Sequence, residues 1–381
     1  MGWWQVDADV LAGSRFVLSP LAETVAALKV LERAHPAHPG ERAWLAAHLP
    51  AYRDRQAADP VGALLIRAAL GPTWNADFLT PTPEPGPGPW GEVPFEEEVA
   101  RVRETPPAAA RAHLLVSLGR RGPLPVPLRR DDLPRRAADT LTWVWRETVL
   151  PYWPRRRRVL EADVVARTAQ LSRGGWAAAL DDMRPGMRWL GGSRLQINAH
   201  DNPPRTLADA RLMFVPVTPK AGWVAWEEPE EPVEDARPEP PGAPSAAHAV
   251  RHAPARYAVV YPCAGTLAED EGAPVPEALG ALLGDARARV LVLLDTPKST
   301  TQLVGLTGQG LGSVGRHLRV LREARLVRRR RAGRDVLYYR TPAGDCLVEV
   351  QSSRRRPPVR RPPARRGVRG EGAGRPGPRA G

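Results

Sequence analysis

Arginine side chains are dense in one short stretch of this chain of 381 residues. Residues 311–339, LGSVGRHLRVLREARLVRRRRAGRDVLYY, hold nine arginines. A guanidinium group is planar and always charged, and it can donate two parallel hydrogen bonds to a phosphate group or to the O6 and N7 atoms of guanine. Arginines at this density indicate an anionic partner.

The position of these arginines is a better signal than their number. The chain has 55 basic residues and a formal net charge of +13, but only Lys29, Lys220 and Lys298 are lysine. Alanine and proline are also abundant, so the composition is typical of codon bias in a GC-rich genome. Codon bias does not place arginines on one face of an element, whereas a binding surface requires that placement.

Residues for other chemistries are sparse. The chain shows no Ser-His-Asp order, no glycine loop for phosphates and no paired carboxylates in a catalytic context, so we expect no enzyme and no cofactor. His35, His38 and His48 could suggest a metal cluster, but HPAHP at 35–39 is a proline-broken loop without the i, i+4 spacing that holds ligands. We therefore expect no metal site.

The number of cysteines and the hydropathy of the sequence indicate the cellular compartment in which the protein is expected. Cys263 and Cys346 are too few for a disulfide framework or a zinc ribbon, which favours a reducing cytoplasm. The N-terminal MGWWQVDADVLAGSRF has acidic residues where a secretory signal has its apolar segment, and the longest strongly apolar run, VLVLL at 290–294, is too short to span a bilayer. We expect a cytoplasmic protein with no membrane partner.

The elements around the arginines predict how those side chains are positioned. PEALGALL and ARARVLVLLD predict two short helices, and STTQ at 299–302 has the form of a capping box that starts a third. The turn TGQG leads to a fourth helix with Val314, Leu318 and Leu321 on one side. LVRRRR and DVLYYRT then predict a β-hairpin. This order predicts a winged helix-turn-helix over residues 276–348.

The predicted unit resembles the winged-helix domain of the ArsR/SmtB class of bacterial transcriptional repressors. SVGRHLRVLREARLV is similar to the V-S-x-H-L-x-x-L-x-x-A-G-L-V recognition helix of that class, and a basic hairpin ending in Tyr338, Tyr339 and Arg340 follows it. The long N-terminal region looks like the uncharacterised domain that precedes such winged helices in some actinobacterial regulators. The resemblance implies a regulator that binds double-stranded DNA.

Two departures limit this resemblance. Metal sensors of the class share a Cys-x-Cys pair on the helix before the turn, whereas that helix is TTQLVGL here and has no thiol, so metal sensing by that route is excluded. Glycine also stands at positions 310, 312 and 315, where the class usually has serine or another small polar residue. Gly312 and Gly315 each cost roughly 0.5 to 1 kcal/mol relative to alanine inside a helix.

The polar side of the fourth helix and the basic hairpin supply the predicted DNA contacts. Arg316 points away from the apolar stripe and can contact a guanine in the major groove, while the hairpin is expected to meet phosphate groups. Two interpretations remain for each of the next two residues. Ser313 either contacts DNA or is simply exposed to solvent, and His317 either contacts DNA or is a packed, hydrogen-bonded histidine. The predicted DNA-binding residues are Ser313, Arg316, His317, Arg319, Arg328, Arg330, Arg331 and Arg334.

All twelve tryptophans lie between Trp3 and Trp226, which predicts a separate N-terminal domain over residues 1–226. SPLAETVAALKVL predicts a helix with Ser19 as N-cap and one buried stripe. Further helices are expected near 61–69, 95–118, 132–149 and 155–172. The segments MRWL, RLQIN, RLMFVPV, GWVAW and RYAVVYP predict one small sheet, completed by a strand at 255–262. The predicted class is α+β, a mostly helical domain with a small β-sheet followed by the winged helix.

An aromatic cluster in this domain allows two interpretations. Trp143, Trp145, Tyr152 and Trp153 lie beside arginines in WVWRETVLPYWPRRRR. The cluster is either domain core with surface arginines nearby or a pocket for an anionic aromatic effector. An unknown small molecule therefore stays among the partners considered.

Two segments of opposite charge are predicted to be disordered. The first eighteen residues of the acidic loop 227–254 carry seven acids and one arginine, a local charge of −6. The basic tail 352–381 has ten arginines and one glutamate, a charge of +9. One hypothesis is that the loop competes with DNA for the tail. The alternative is that both are solvated low-complexity sequence.

These patterns predict a cytoplasmic DNA-binding transcriptional regulator that acts as a repressor. One winged helix contacts too few base pairs to select a genomic site, so we expect a homodimer on an inverted-repeat operator. The alternative is an enzyme or sensor protein whose winged helix mediates protein–protein contacts only.

Overall fold

The chain is described here from a computed structural model. The residues that it describes are 2–37, 39–119, 122–181, 183–198, 204–227, 254–263, 275–295, 297–332 and 335–352. The fold is α+β, as the sequence predicts. Arg334, residues 228–253 of the predicted acidic loop and residues 353–381 of the predicted basic tail lie outside the described residues.

Helices dominate the chain up to residue 180. They are Ala8–Gly13 (α1), Pro20–Arg33 (α2), Pro39–Ala58 (α3), Pro60–Ala69 (α4), Phe95–Glu104 (α5), Pro107–Ser117 (α6), Leu133–Val144 (α7) and Trp153–Leu180 (α8, with a break at Gly175). The helices predicted near 61–69, 95–118, 132–149 and 155–172 are confirmed as α4, α5 with α6, α7 and α8. Sequence reasoning missed α3, because Pro50 inside it is a helix-breaking signal.

Helix α2 is central to the N-terminal core. Its predicted N-cap is confirmed, since the backbone N–H of Ala22 donates to Oγ of Ser19 at 2.9 Å. The prediction of a single buried stripe is wrong, because Ala26 and Val30 are buried as well. Helices α3, α5 and α7 all contact α2, so little of its surface meets solvent.

Two four-stranded sheets replace the single small sheet predicted from the sequence. The strands are Gly2–Val6 (β1), Arg15–Phe16 (β2), Arg188–Gly191 (β3), Arg194–Asn198 (β4), Arg205–Leu207 (β5), Arg211–Val217 (β6), Trp223–Glu227 (β7) and Arg256–Pro262 (β8). The strand orders are β3-β4-β1-β5 and β2-β6-β8-β7. The prediction failed because β1 and β2 come from the start of the chain and pair with strands that lie far away in sequence.

The C-terminal elements are short helices and a small sheet. They are Glu277–Leu283 (α9), Asp285–Leu293 (α10), Lys298–Ser299 (β9), Thr300–Thr307 (α11), Leu311–Glu323 (α12), Val327–Ala332 (β10), Asp335–Arg340 (β11) and Pro342–Ser352 (α13). The predicted capping box is confirmed: Ser299 N–H donates to Gln302 Oε1 at 2.6 Å, and Gln302 N–H donates to Ser299 Oγ at 3.2 Å. The third strand, β9, pairs with β11 and fixes the hairpin to the start of α11.

Helix α11 packs closely against α8 of the N-terminal region. A Cβ atom at Gly305 would lie 2.6 Å from Cγ2 of Val159, so a side chain there would push the two helices apart. Ala162 of α8 belongs to the same apolar cluster as the buried residues of α11 and α12. Arg155 Nε donates to the carbonyl oxygen of Gly305 at 3.2 Å. The C-terminal unit is therefore attached to the N-terminal region by packing as well as by the chain.

Candidate nucleic-acid interface

Helix α12 has one apolar side and one polar side, as predicted. Val314, Leu318 and Leu321 are buried, and the helix packs on α10 and α11. Arg316 and Arg319 are exposed on the remaining surface. Because the apolar stripe fixes the rotation of the helix, the two arginines are held outward.

The turn before α12 depends on glycine. Gly308 has φ 69°, in the left-handed region that favours glycine, and its N–H donates to the carbonyl of Val304 at 3.0 Å to end α11. Gly310 is the N-cap of α12. Its carbonyl accepts the backbone N–H of Ser313 at 3.0 Å and of Val314 at 3.1 Å. This geometry sets where α12 begins.

The fold does not require glycine at positions 312 and 315 of α12. Their backbone is helical, without a positive φ, and a Cβ atom on either would meet nothing within 4 Å. Alanine would therefore fit at both positions and would favour the helix by roughly 0.5 to 1 kcal/mol each. Glycine instead leaves the backbone of the first turns uncovered, so another molecule can approach it closely.

Ser313 and His317 are both partly exposed on α12. Partial burial, followed by the positive charges of Arg287 and Arg316, lowers the pKa of His317 below its usual value. Within the described part of the chain its ring makes no hydrogen bond. A neutral imidazole therefore lies among guanidinium groups at neutral pH.

The hairpin carries arginines on both faces. Strands β10 and β11 are antiparallel, with Arg328 opposite Tyr339 and Arg330 opposite Leu337. Alternation along the strand places Arg328 and Arg330 on one face and Arg329 and Arg331 on the other. All four are exposed. The hairpin therefore projects positive charge from both sides. The predicted contact Arg334 lies outside the described residues.

Most of this charge has no neutralising partner in the part of the chain that the structure describes. Among the described residues, none forms an ion pair or side-chain hydrogen bond with the guanidinium groups of Arg316, Arg319, Arg322, Arg328, Arg329 and Arg330. Arg331, in contrast, has an interaction of its own. Exposed guanidinium groups without carboxylate partners retain their capacity to bind an external anion.

Arg158 adds to this surface from the N-terminal region, and sequence reasoning missed it. It is exposed near the start of α8. Its Nη2 atom would lie 3.7 Å from a Cβ atom placed on Gly308, so its guanidinium group lies beside the turn that precedes α12. The only signal in the sequence is the run of four arginines at 155–158, which does not indicate which member faces the turn.

Three members of the aromatic cluster beside that run, Trp143, Trp145 and Trp153, pack in the N-terminal core, whereas Tyr152 is exposed. Trp145 is 5% exposed and stacks on Phe95 with ring centroids 4.9 Å apart. Trp153 meets its edge at 5.4 Å. These contacts support the interpretation of the cluster as core rather than as an effector pocket.

Comparisons with protein-family models, curated proteins and solved structures give no match for this chain. Within the described residues, no cluster of three or more His, Cys, Asp or Glu side chains could hold a metal ion. The helices found in the same part of the chain are too short or too polar to cross a membrane.

Proposed function

We propose that the protein is a DNA-binding transcriptional regulator and that residues 276–348 form a winged helix-turn-helix. The observation that carries the proposal is a set of exposed arginines that have no ion-pair partner among the described residues: Arg316, Arg319 and Arg322 on α12, and Arg328, Arg329 and Arg330 on β10. Recognition helix α12 lies in the major groove, and the hairpin of β10 and β11 lies along the sugar-phosphate backbone.

The two elements have different roles in this arrangement. Arg316 and Arg319 point outward from the apolar stripe of α12, so they contact base edges, where arginine prefers guanine. The arginines of β10 lie on both faces of a two-stranded ribbon and contact phosphate groups. Gly312 and Gly315 let the start of α12 approach the duplex without intervening side chains. The arrangement combines affinity from the hairpin with sequence preference from the helix.

The regulator acts as a homodimer, and most simply as a repressor that occupies its operator. A twofold dimer places two α12 helices on successive major grooves, roughly 34 Å apart, so the operator is an inverted repeat. The alternative, a unit used only for protein contacts, has no need of unpaired arginines on two elements.

Selection from a library of random double-stranded DNA tests this function. The full-length protein should enrich an inverted repeat with half-sites about 10 base pairs apart, and light scattering should show a dimer. A monomer that enriches no sequence and does not bind duplex DNA at low salt would refute the proposal. Binding to protein partners alone would then favour the alternative.

A further inference from the structure

A cleft with a volume of about 580 Å³ opens in the N-terminal region. Its walls come from α5, α6, the segment that follows α4 and the end of β7. Asp77, Thr82, Glu104 and Trp226 lie along these walls. None of the predicted DNA-binding residues lines this cleft, so it is a second site of different chemistry.

The lining of the cleft has more carboxylates than guanidinium groups. It includes the carboxylates of Asp77, Glu104 and Glu227 and a single arginine, Arg101. Arg101 forms an ion pair with Glu227 at 2.8 Å. Among the described residues, neither Asp77 nor Glu104 has an ion-pair partner. Burial raises the pKa of Asp77, which also interacts electrostatically with His113 and Arg205, but neither carboxylate is held in a direct ion pair within the described part of the chain.

The histidine of the cleft is held by a backbone hydrogen bond. The backbone N–H of Phe78 donates to Nδ1 of His113 at 3.1 Å. Since Nδ1 accepts this hydrogen bond, Nε2 is the ring atom that remains for a ligand.

Thr82 gives an independent indication of a ligand. It is 1% exposed and lines the cleft, yet its Oγ1 atom has no hydrogen-bond partner among the described residues. The backbone carbonyl of the same residue is occupied, because it accepts from Arg101 Nη1 at 2.7 Å. A buried hydroxyl group without a partner is unfavourable unless a ligand supplies one.

Trp226 forms a fixed apolar wall. The guanidinium carbon of Arg205 lies 4.5 Å from the centre of its ring, and Trp74 packs edge-on against it with centroids 5.7 Å apart. These contacts on the ring hold its orientation, and Pro81 and Pro106 extend the apolar surface of the cleft. A ligand with a flat apolar part can lie against this wall.

We propose that the cleft binds a small organic cation, an ammonium group joined to a flat apolar group. Asp77 and Glu104 bind the ammonium group, the Thr82 hydroxyl group accepts one of its N–H bonds, and the apolar part lies near Trp226. A cation fits because the carboxylates of the lining outnumber its one guanidinium group, and because Asp77 and Glu104 form no direct ion pair among the described residues. The proposal does not depend on DNA binding by the C-terminal unit.

The probe for this site is 2-phenylethylammonium, compared with the neutral 2-phenylethanol and the anionic 3-phenylpropanoate. Full-length protein labelled with 5-fluorotryptophan gives fluorine resonances, and the Trp226→Phe variant assigns the one in the cleft. Titration to about 10 mM, a range suited to a probe of this size, should shift that resonance with the ammonium compound. The alcohol should bind about tenfold more weakly, and the carboxylate should cause no shift.

Two variants separate the ligand contacts from effects on folding. The double change Asp77→Asn and Glu104→Gln should weaken binding of the ammonium compound by about tenfold or more, equivalent to about 1.4 kcal/mol. The matched control, Glu96→Gln with Glu97→Gln, removes two exposed charges from the first turn of α5, outside the cleft lining. It should leave the affinity unchanged.

Thr82→Val keeps the shape of the side chain and removes the hydroxyl group. Because that group has no partner in the unliganded protein, the melting temperature should stay the same or rise, while affinity for the ammonium compound should fall several-fold. The proposal is overturned if the alcohol binds as tightly as the ammonium compound, or if the ammonium compound does not bind. It is also overturned if the Asp77 and Glu104 double variant keeps full affinity.

Discussion

The chain contains two runs of four arginines, and the fold uses them in opposite ways. Arg155–Arg158 lies near the start of α8, whereas Arg328–Arg331 forms most of β10. In the first run, Arg156 is 1% exposed and pairs with the fully buried Glu23 at 2.6 Å. Arg157 pairs with Glu92 at 2.9 Å. In the second run all four side chains are exposed.

This difference shows why arginine content alone is a poor guide to function. A helix at the centre of a packed region places successive side chains in different surroundings, so its arginines become internal partners. The hairpin of β10 and β11 buries Val327 but leaves the side chains of Arg328–Arg331 in solvent. Arg156 and Arg157 of the first run therefore stabilise the fold, whereas Arg328, Arg329 and Arg330 of the second have no ion-pair partner among the described residues and can bind an external anion.

The largest expected effect is on stability, from Arg156→Met. Removal of the guanidinium group leaves the buried Glu23 carboxylate without its counter-charge, which should lower the free energy of unfolding by about 3–5 kcal/mol. Chemical denaturation measures this change. The double variant with Glu23→Gln should lose less than Arg156→Met alone. The matched change Arg329→Met in the second run should stay within about 0.5 kcal/mol of wild type. Equal losses in the free energy of unfolding for Arg156→Met and Arg329→Met would contradict the difference between the two runs.

The next largest effect is on sequence preference, from Arg316→Ala. Loss of a bidentate contact to guanine should cost about 1–3 kcal/mol on the selected operator and relax the preference at one base pair of each half-site. Binding to random duplex should change much less. Repeating the DNA selection with this variant checks the prediction, and an unchanged base profile would remove Arg316 from the interface.

Arg158 differs from Arg156 and Arg157 of the first run, which are paired with carboxylates. It is exposed beside the turn before α12 and is expected to contact a phosphate group. Arg158→Ala should weaken binding to all duplexes by about 0.5–1 kcal/mol. It should also lower the slope of log K against log salt concentration by the equivalent of about one phosphate contact. Arg157→Ala, one residue earlier, should not alter DNA affinity, because its guanidinium group is already paired with Glu92. The same loss in both variants would point to a change in α8 packing instead.

The smallest expected effect is the pH dependence conferred by His317. Burial and neighbouring arginines lower its pKa in the free protein, and nearby phosphate groups should raise that pKa in the complex. Because the bound state then holds the proton more tightly, DNA affinity should increase as the pH falls towards the usual histidine pKa of about 6.5. His317→Gln should lose this increase. A variant with the wild-type pH profile would show that the proton binds elsewhere.

Local signals predicted the candidate interface better than the rest of the fold. The capping box at Ser299 and the apolar spacing of Val314, Leu318 and Leu321 act over a few residues, so the sequence contains them in full. The pairing of β1 (Gly2–Val6) with β4 gives no such local signal, because β4 lies near the opposite end of the N-terminal region in sequence. The burial of Arg156 depends in the same way on Glu23, 133 residues earlier. The position of Arg158 beside Gly308 follows only from the packing of α11 on α8.

The most direct test of the account is the salt dependence of binding to duplex DNA, measured by fluorescence anisotropy for wild type and for the triple variant Arg328→Ala, Arg329→Ala and Arg330→Ala. Neutralising about five phosphates predicts a slope near −4 to −5 for log K against log salt concentration. The triple variant should have a slope near −2, since each lost contact removes about 0.9. A triple variant that kept the wild-type slope, or a wild type that did not bind duplex DNA at low salt, would contradict the assignment of the unpaired arginines to DNA.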